Sequence, residues 1–500
     1  MSSSAGPGTS SSDHGFSSQL DWRDGFVIAL VIPVGLFASI GPSIAALGSW
    51  ALAALLAVVC VVALLQNRIY SEMATMFPDK SGGIAIYAHE AWRRYFAPAG
   101  ALAAFGYWAA WAFANAVFAI TVGQLVQAQF FSGATWTIST GTADIGLAHL
   151  IGVATLISVW VINAMGVRIA VATNKVLGVL AVGLIALLVI GPVLTGDLNF
   201  GNLTWGLGAE GQAWGGWRLA LVMLFILGWT GYGTEISATF APEYKDPQRD
   251  TPKALRLAGI FTLVVAVLLP LGLGGTVGDA AIAKDPGSIY ATAFADVIGP
   301  ASGLITILLC ASVYLVMNSC TADAGRALYG IAKADMTIKQ LGVLNSRQVP
   351  ARAMFCDLVI NTIMVLFVGN VLAIIFTGNI GYFLGVCFAL SGFALLRRDR
   401  PNWPRAIRLS AFWVPVALAL TAYNLLLLAV GFLNPADAGY GGTTEQVIGV
   451  AILVLSLVLF VYRRVVQDRG PLRLREPAGD AVPPEADAVE VPAGMVSPTA

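Results

Sequence analysis

The stretch GWTGYGTE, Gly228–Glu235, interrupts an apolar run that begins near Trp217 and is long enough to cross a bilayer. Three glycines, two threonines, a tyrosine, a tryptophan and a carboxylate each weaken a helix that faces lipid. Non-helical backbone at membrane depth is tolerated only where protein buries it or where it lines a watery cavity. The stretch therefore predicts an unwound span at the centre of a site.

The rest of the chain sets the solvent. Of 500 residues, 57% are hydrophobic and 11% charged, with 54 glycines, a composition outside the soluble range. Apolar runs of roughly 20 residues, each able to span ~30 Å, recur about twelve times. They lie near 25–48, 50–70, 99–131, 146–166, 175–195, 217–241, 257–279, 299–332, 352–374, 376–396, 410–433 and 445–464. Lys and Arg resist translocation, and placing both termini in the cytoplasm puts nearly all of them inside. Arg93 and Arg94 follow the second run, Lys245 and Arg249 the sixth, and Arg397, Arg398 and Arg400 the tenth. An odd number of spans destroys this pattern. The expectation is a multi-pass plasma-membrane protein with the lipid bilayer as partner.

Residues 1–24 and 466–500 read as disordered cytoplasmic tails, the second rich in Pro, Ala and acid. Between them, Ser81–Phe96 has apolar and basic residues at helical spacing and reads as an amphipathic helix on the cytoplasmic face. Asp279–Pro300 reads as a short helix over an external vestibule. The cysteines, Cys60, Cys310, Cys320, Cys356 and Cys387, all fall in apolar runs without paired spacing, as small buried residues do. His89 and His149 lie at loop or edge positions, and Trp92, Trp108, Trp111 and Phe225 read as packing or interfacial anchors.

A second interrupted span in the corresponding place of another half is the best sequence pointer to a transporter built on inverted repeats. The first run supplies it in PVGLFASIGPS, Pro33–Ser43, where Gly35, Ser39, Gly41 and Pro42 are expected to break the helix. Spans one and six head two five-span units, about 25–195 and 217–396. Five is odd, so the second unit is inverted, and the runs over 410–464 are additions.

Unwinding exposes amides at one half-helix and carbonyls at the other, ready for a carboxylate and a cation respectively. Trp229 and Tyr232 add aromatic faces that attract an ammonium by roughly 0.5–2 kcal/mol. Glu235 lies seven residues before Pro242, about 10 Å inside the membrane edge at 1.5 Å per residue. An ionisable group there reads as a proton carrier or counter-charge. A neutral Glu bonded to a freed carbonyl is the structural alternative.

The residues Gly228–Leu255 resemble the sixth span and following loop of the amino acid, polyamine and organocation (APC) superfamily. Trp229, Gly233 and Glu235 match its aromatic-small-x-x-Gly-x-Glu core. Glu243, Lys245, Asp246 and Pro247, then Arg249, Asp250, Pro252, Lys253 and Ala254, match the charged loop. SEMATMFPDKSGG (Ser71–Gly83), INAMGVRIAVATNKV (Ile162–Val176), GRALYGIAKAD (Gly325–Asp335) and LLRRDRPNWPRAIR (Leu395–Arg408) agree in order and spacing, so the resemblance covers about 25–465.

It implies an all-α integral membrane protein of twelve helices, with broken helices 1 and 6 and a site between spans 1, 3, 6 and 8. It also implies secondary active transport of an amino acid or small amine by alternating access. Gly35, Leu36 and Phe37 align with the family's Gly-Ser-Gly amides, keeping only the first glycine. With Ser39, Trp229 as lid, Thr230, Gly231, Asn115 as polar contact and Thr321, they form the expected substrate set. Glu235 and Asp323 are the expected proton-coupling pair, and the coupling-lysine position of some relatives, near Ala181, is apolar. Asp323 and Arg326, three apart, are expected to pair on one helix face; a cavity-facing Asp323 is the alternative.

The sequence contains no phosphate loop, metal-ligand constellation or nucleophile triad. The expectation is accordingly no enzyme, no cofactor and no nucleic-acid partner, with a proton as coupling ion and sodium as the alternative. Rival readings are an amine or polyamine transporter, an exchanger, and a nutrient sensor that binds without transport.

Overall fold

The computed structural model describes residues 16–139, 144–286, 302–367, 371–438 and 442–476. Among these residues the apolar runs become helices, because in hydrocarbon a helix satisfies its own backbone. In chain order these are α1 (Trp22–Ala29), α2 (Val31–Leu47), α3 (Ser49–Met76), α4 (Gly83–Phe96), α5 (Pro98–Phe130), α6 (Leu147–Ala164), α7 (Val167–Thr195) and α8 (Trp217–Gly231). There follow α9 (Ile236–Thr239), α10 (Pro247–Val277), α11 (Asp279–Lys284), α12 (Ser302–Lys333), α13 (Ala351–Phe367), α14 (Val371–Asp399), α15 (Trp413–Leu433) and α16 (Thr443–Tyr462).

Among the described residues, ten helices are long and apolar enough to cross a membrane, or eleven if the bent pair at the amino-terminal end is one span. α13 has 17 residues and occupies the run expected at 352–374. A two-stranded hairpin, Thr137–Ser139 with Asp144–Gly146, joins α5 to α6.

α5 is the hub, packing against α14, α12, α6 and α4. Its inner residues are small or aromatic, and a Cβ on Gly106 would overlap the Gly381 carbonyl of α14. Small residues let transmembrane backbones approach this closely, which accounts for part of the glycine content.

The first span is interrupted where expected, by a bend rather than by unwinding. α2 stays helical from Val31 to Leu47 with Pro42 inside it, and neither Gly35 nor Gly41 has a left-handed φ. The segments Trp22–Phe37 and Ser39–Leu47 instead meet at 49°. Pro42 clashes with the carbonyl four residues back, at position 38, and that is where the bend falls. A proline alone bends this helix without unwinding it.

The sixth span is broken as expected. α8 ends at Gly231, Tyr232 is extended (φ −78°, ψ −166°), and Gly233 has φ +91° before α9 begins at Ile236.

The described parts of both expected tails, 16–24 and 466–476, are packed rather than disordered. The chain is packed from Phe16: Leu20 bridges Tyr244, and the Gln19 and Leu20 amides donate to the Glu243 carbonyl at 2.8 Å. Beyond α16, residues as far as Glu476 fold back, with the Ala97 amide donating to the Leu474 carbonyl at 2.8 Å. Both described ends, α4 and the arginine-rich loop after α14 thus share one end of the bundle. There Glu72 accepts from Arg397 and Arg405, and Glu90 from Lys80 and Arg400. α4 is tucked in rather than laid along the surface, with Gly83–Ala91 buried. Of the stretch 279–300, α11 is observed, and 287–300 lie outside the described residues.

Candidate functional site

The break in the sixth span faces the bent first span across a void of about 30 Å³. Gly35 and Ile32 of α2, Trp111, Ala114 and Phe118 of α5, Trp229, Thr230 and Gly233 at the break, Cys320 of α12 and Tyr382 of α14 line it. A space of that size holds a water or two. Aromatic side chains close it: Trp229 stacks on Phe118 at 5.7 Å and 21°. A Cβ at Gly35 would meet nothing within 4 Å, so this glycine gives directly onto open space.

Two constraints fix the break. A Cβ at Gly231 would overlap Val59 of α3, and one at Gly233 would overlap Ile32 and approach the Trp111 ring at 3.1 Å. Gly233 also sits at a φ that side-chain-bearing residues avoid. At Gly233 the left-handed backbone and the close packing thus each demand glycine.

The carboxylates lie one layer out. Glu235 is 2% exposed and accepts a hydrogen bond from Tyr382 Oη at 2.5 Å. Tyr382 itself lines the void, so the state of Glu235 is felt at the cavity wall through one hydrogen bond. Asp323 is fully buried and accepts from Tyr107 Oη at 3.2 Å, while its Oδ2 has no partner among the described residues. Tyr107 Oη also lies 3.3 Å from Thr239 Oγ1 of α9. Spans 3, 6 and 8 are joined by this one tyrosine.

The expected ion pair between Asp323 and Arg326 does not form. Arg326 turns to Glu243, donating Nε to one carboxylate oxygen and Nη2 to the other at 2.9 Å, with both side chains almost fully buried. Its guanidinium also lies 4.3 Å over Phe240. A planar fork matches two carboxylate oxygens at once, a fit that a short aspartate one turn back on the same helix does not offer.

Of the expected substrate set, Gly35, Trp229 and Thr230 border the void. Ser39 borders a smaller space of about 10 Å³ between α2, α8 and α14. Leu36 and Phe37 are buried in the core, and Gly231 packs on α3. Asn115 and Thr321 meet each other, Nδ2 to Oγ1 at 3.0 Å, leaving Asn115 Oδ1 without a partner among the described residues.

Sequence reasoning missed Tyr382, Phe118 and the role of Trp111, whose buried Nε1 has no partner among the described residues. It also missed Tyr107, and Asp357 of α13, which accepts from Trp108 Nε1 at 2.5 Å. These sit in uninterrupted apolar runs, where nothing local separates a cavity wall from packing. Phe225 is packing as expected, fully buried against Phe376 and Phe383.

A larger space, about 730 Å³, lies at the basic end, bordered by Phe16, Lys80, His89, Arg93, Tyr329 and Glu476 among others. Burial pushes the His89 imidazole down to about 3 against the pull of Glu90. Burial works to raise Glu90, but Lys80, His89 and Arg400 together hold it down to about 2. Glu90 is thus a fixed anion and His89 a neutral ring.

The sequence profile described as amino acid permease matches residues 20–458. An uncharacterized transporter of Mycobacterium tuberculosis (strain H37Rv) is 28% identical over 275 residues, 53% of this chain and 54% of the relative. The chain therefore spans about half the length of that mycobacterial relative. An uncharacterized amino acid permease of Bacillus subtilis, YvbW, is 25% identical over 366 residues, 70% of this chain and 77% of its own. The B. subtilis amino-acid permease RocE is 25% identical over 342 residues, 65% and 68% of the two chains.

Proposed function

The chain belongs to the amino acid permease family, and from that premise we propose that it is a secondary active transporter carrying an amino acid or related small organic amine across the plasma membrane. Transport is by alternating access and is proton-coupled. In this reading twelve spans form two inverted five-helix units plus two additional helices, with the basic end and both termini in the cytoplasm.

The observation that carries the proposal is the glycine-built break at Gly231–Glu235 beside the void bordered by Gly35. A broken span facing an occluded cavity at mid-membrane suits a site that opens to each side in turn. Trp229, stacked on Phe118, is the lid on one side. On the other, Tyr107, Asp323 and Thr239 and then Arg326 with Glu243 separate the void from the basic end. Opening inward requires these contacts between spans 6 and 8 to part.

Glu235 supplies the coupling. Its hydrogen bond from Tyr382 makes the cavity wall sensitive to its charge. Asp323, with an unpartnered oxygen, is the second acidic group. A reading as an amine or polyamine carrier, or an amine exchanger, is favoured by this acidic pair together with Leu36 and Phe37 standing buried where carboxylate-binding amides are expected.

The test is uptake of labelled amino acids and amines into proteoliposomes with and without an imposed pH gradient. Saturable, gradient-stimulated uptake of one class is expected, with the stimulation lost in Glu235→Gln. Saturable binding with no uptake would favour a sensor, and stimulation unchanged in Glu235→Gln removes that residue from coupling.

A further inference from the structure

The large space at the basic end ends on two arginines that hold a carboxylate from the chain's own carboxy-terminal segment. Glu476 is 8% exposed. Its carboxylate pairs with Arg93 at 3.1 Å, on the last turn of α4, and with Arg464, just past the end of α16. Its amide donates to the Arg93 carbonyl at 2.8 Å.

Besides Glu476 itself, the strap carrying it is held by Asp468 at its start, paired with Lys339 and Arg463, and by backbone hydrogen bonds from the Gly470 amide to the Arg464 carbonyl and from the Ala97 amide to the Leu474 carbonyl. Between Asp468 and Glu476 the chain has no regular structure, Arg469 has φ +52°, and Leu472 and Leu474 are about half exposed. A segment with so few buried apolar contacts belongs to the low-stability part of a protein. Over 468–476 the single buried side chain is the charged one of Glu476, a poor way to build core and a good way to build a releasable contact.

The arginines also retain donors that Glu476 does not use. Arg93 Nε and Arg464 Nε are buried with no partner among the described residues, and so is Nδ1 of the 1% exposed His89 on the same cavity wall. Glu90 reaches Arg93 only at 3.5 Å, being committed to Lys80 and Arg400.

We propose that Arg93 and Arg464 form a carboxylate-binding site at the mouth of this vestibule, and that Glu476 is a tethered ligand which occupies it and latches the vestibule shut. A free carboxylate at sufficient concentration displaces the latch. The contact lies between α4, α16 and the strap, apart from the central void, and only its effect on transport rests on the permease reading above.

Hydrogen exchange by mass spectrometry on the full chain in nanodiscs tests it. Glu476→Gln is expected to speed exchange over 472–476 roughly tenfold, the loss of one charge-assisted contact, while α5 and α12 keep wild-type protection. Arg464→Glu is expected to do the same, and combining it with Glu476→Arg to restore slow exchange. Glutarate is expected to release the strap of the wild type at concentrations where sodium chloride of equal ionic strength does not. Unchanged exchange in Glu476→Gln, or equal release by chloride, overturns the site. In proteoliposomes Glu476→Gln is expected to raise the initial rate several-fold; a loosened strap with an unchanged rate overturns the latch. Absence of transport by every variant, with exchange behaving as stated, retains the carboxylate site and counts against the permease reading alone.

Discussion

Replacing Gly233 by alanine separates the two reasons for a break in the sixth span. The residue sits at φ +91°, a left-handed conformation that costs a residue with a Cβ about 1–2 kcal/mol. The added methyl would overlap Ile32 Cδ1 and stand 3.1 Å from the Trp111 ring. Ile32 meets it with the free end of a flexible chain and can yield, so the packing part lies near the low end of the ~1–3 kcal/mol typical of overpacked cores. Together the cost is about 2–3 kcal/mol, a large share of the stability of a folded domain. Thermal unfolding of the purified protein in nanodiscs, read by intrinsic tryptophan fluorescence, measures it. Two glycines serve as controls. Gly183 in α7 has no atom within 4 Å of a built Cβ and an ordinary φ, so Gly183→Ala is expected to be neutral or stabilising by up to ~1 kcal/mol. Gly35 is equally free of clashes but borders a void of only about 30 Å³. Gly35→Ala is therefore expected to unfold at the wild-type temperature and yet transport poorly. A Gly233→Ala protein as stable as wild type would refute the assignment of a left-handed turn at the break.

Arg326→Met leaves Glu243 buried and unpaired and is expected to destabilise by about 3–5 kcal/mol, whereas Arg326→Met with Glu243→Met recovers most of it, as measured by a double-mutant cycle on thermal unfolding. His89 gives the pH dependence. Its folded value is depressed from 6.5 to about 3, so the unfolded chain binds the proton first as pH falls, and stability is lost from about pH 6.5 downward. Between pH 6.5 and 5 this amounts to about 2 kcal/mol at ~1.4 kcal/mol per unit. His89→Gln is expected to flatten the unfolding temperature over that window, and a slope equal to wild type would discount the histidine.

Membrane segments were legible from sequence because the cost of placing a residue in hydrocarbon is local and nearly additive along a run. Among the described residues, every apolar run predicted here lies on a helix or helix pair, and the resemblance to the permease family agrees with the profile match over 20–458. The break at Gly228–Glu235 was legible for the same reason, since glycine clusters act through their own backbone. Whether a proline bends or unwinds a helix is less local, and the first span, expected to break or unwind, is interrupted by a 49° bend across which the backbone stays helical.

Partnership was not legible. Asp323 and Arg326 have the spacing of a helical pair, yet Arg326 finds a carboxylate 83 residues away, held by the turn after α9, and Asp323 is left to Tyr107. Likewise Tyr382 reads as one more aromatic in an apolar run until α14 brings it between Glu235 and the void. By itself the sequence determined the solvent, the spans and the place where one of them fails, because those follow from the transfer energy and backbone freedom of consecutive residues. Only the tertiary structure decided which charges meet and which side chains border empty space, because those depend on distances between helices far apart in the chain.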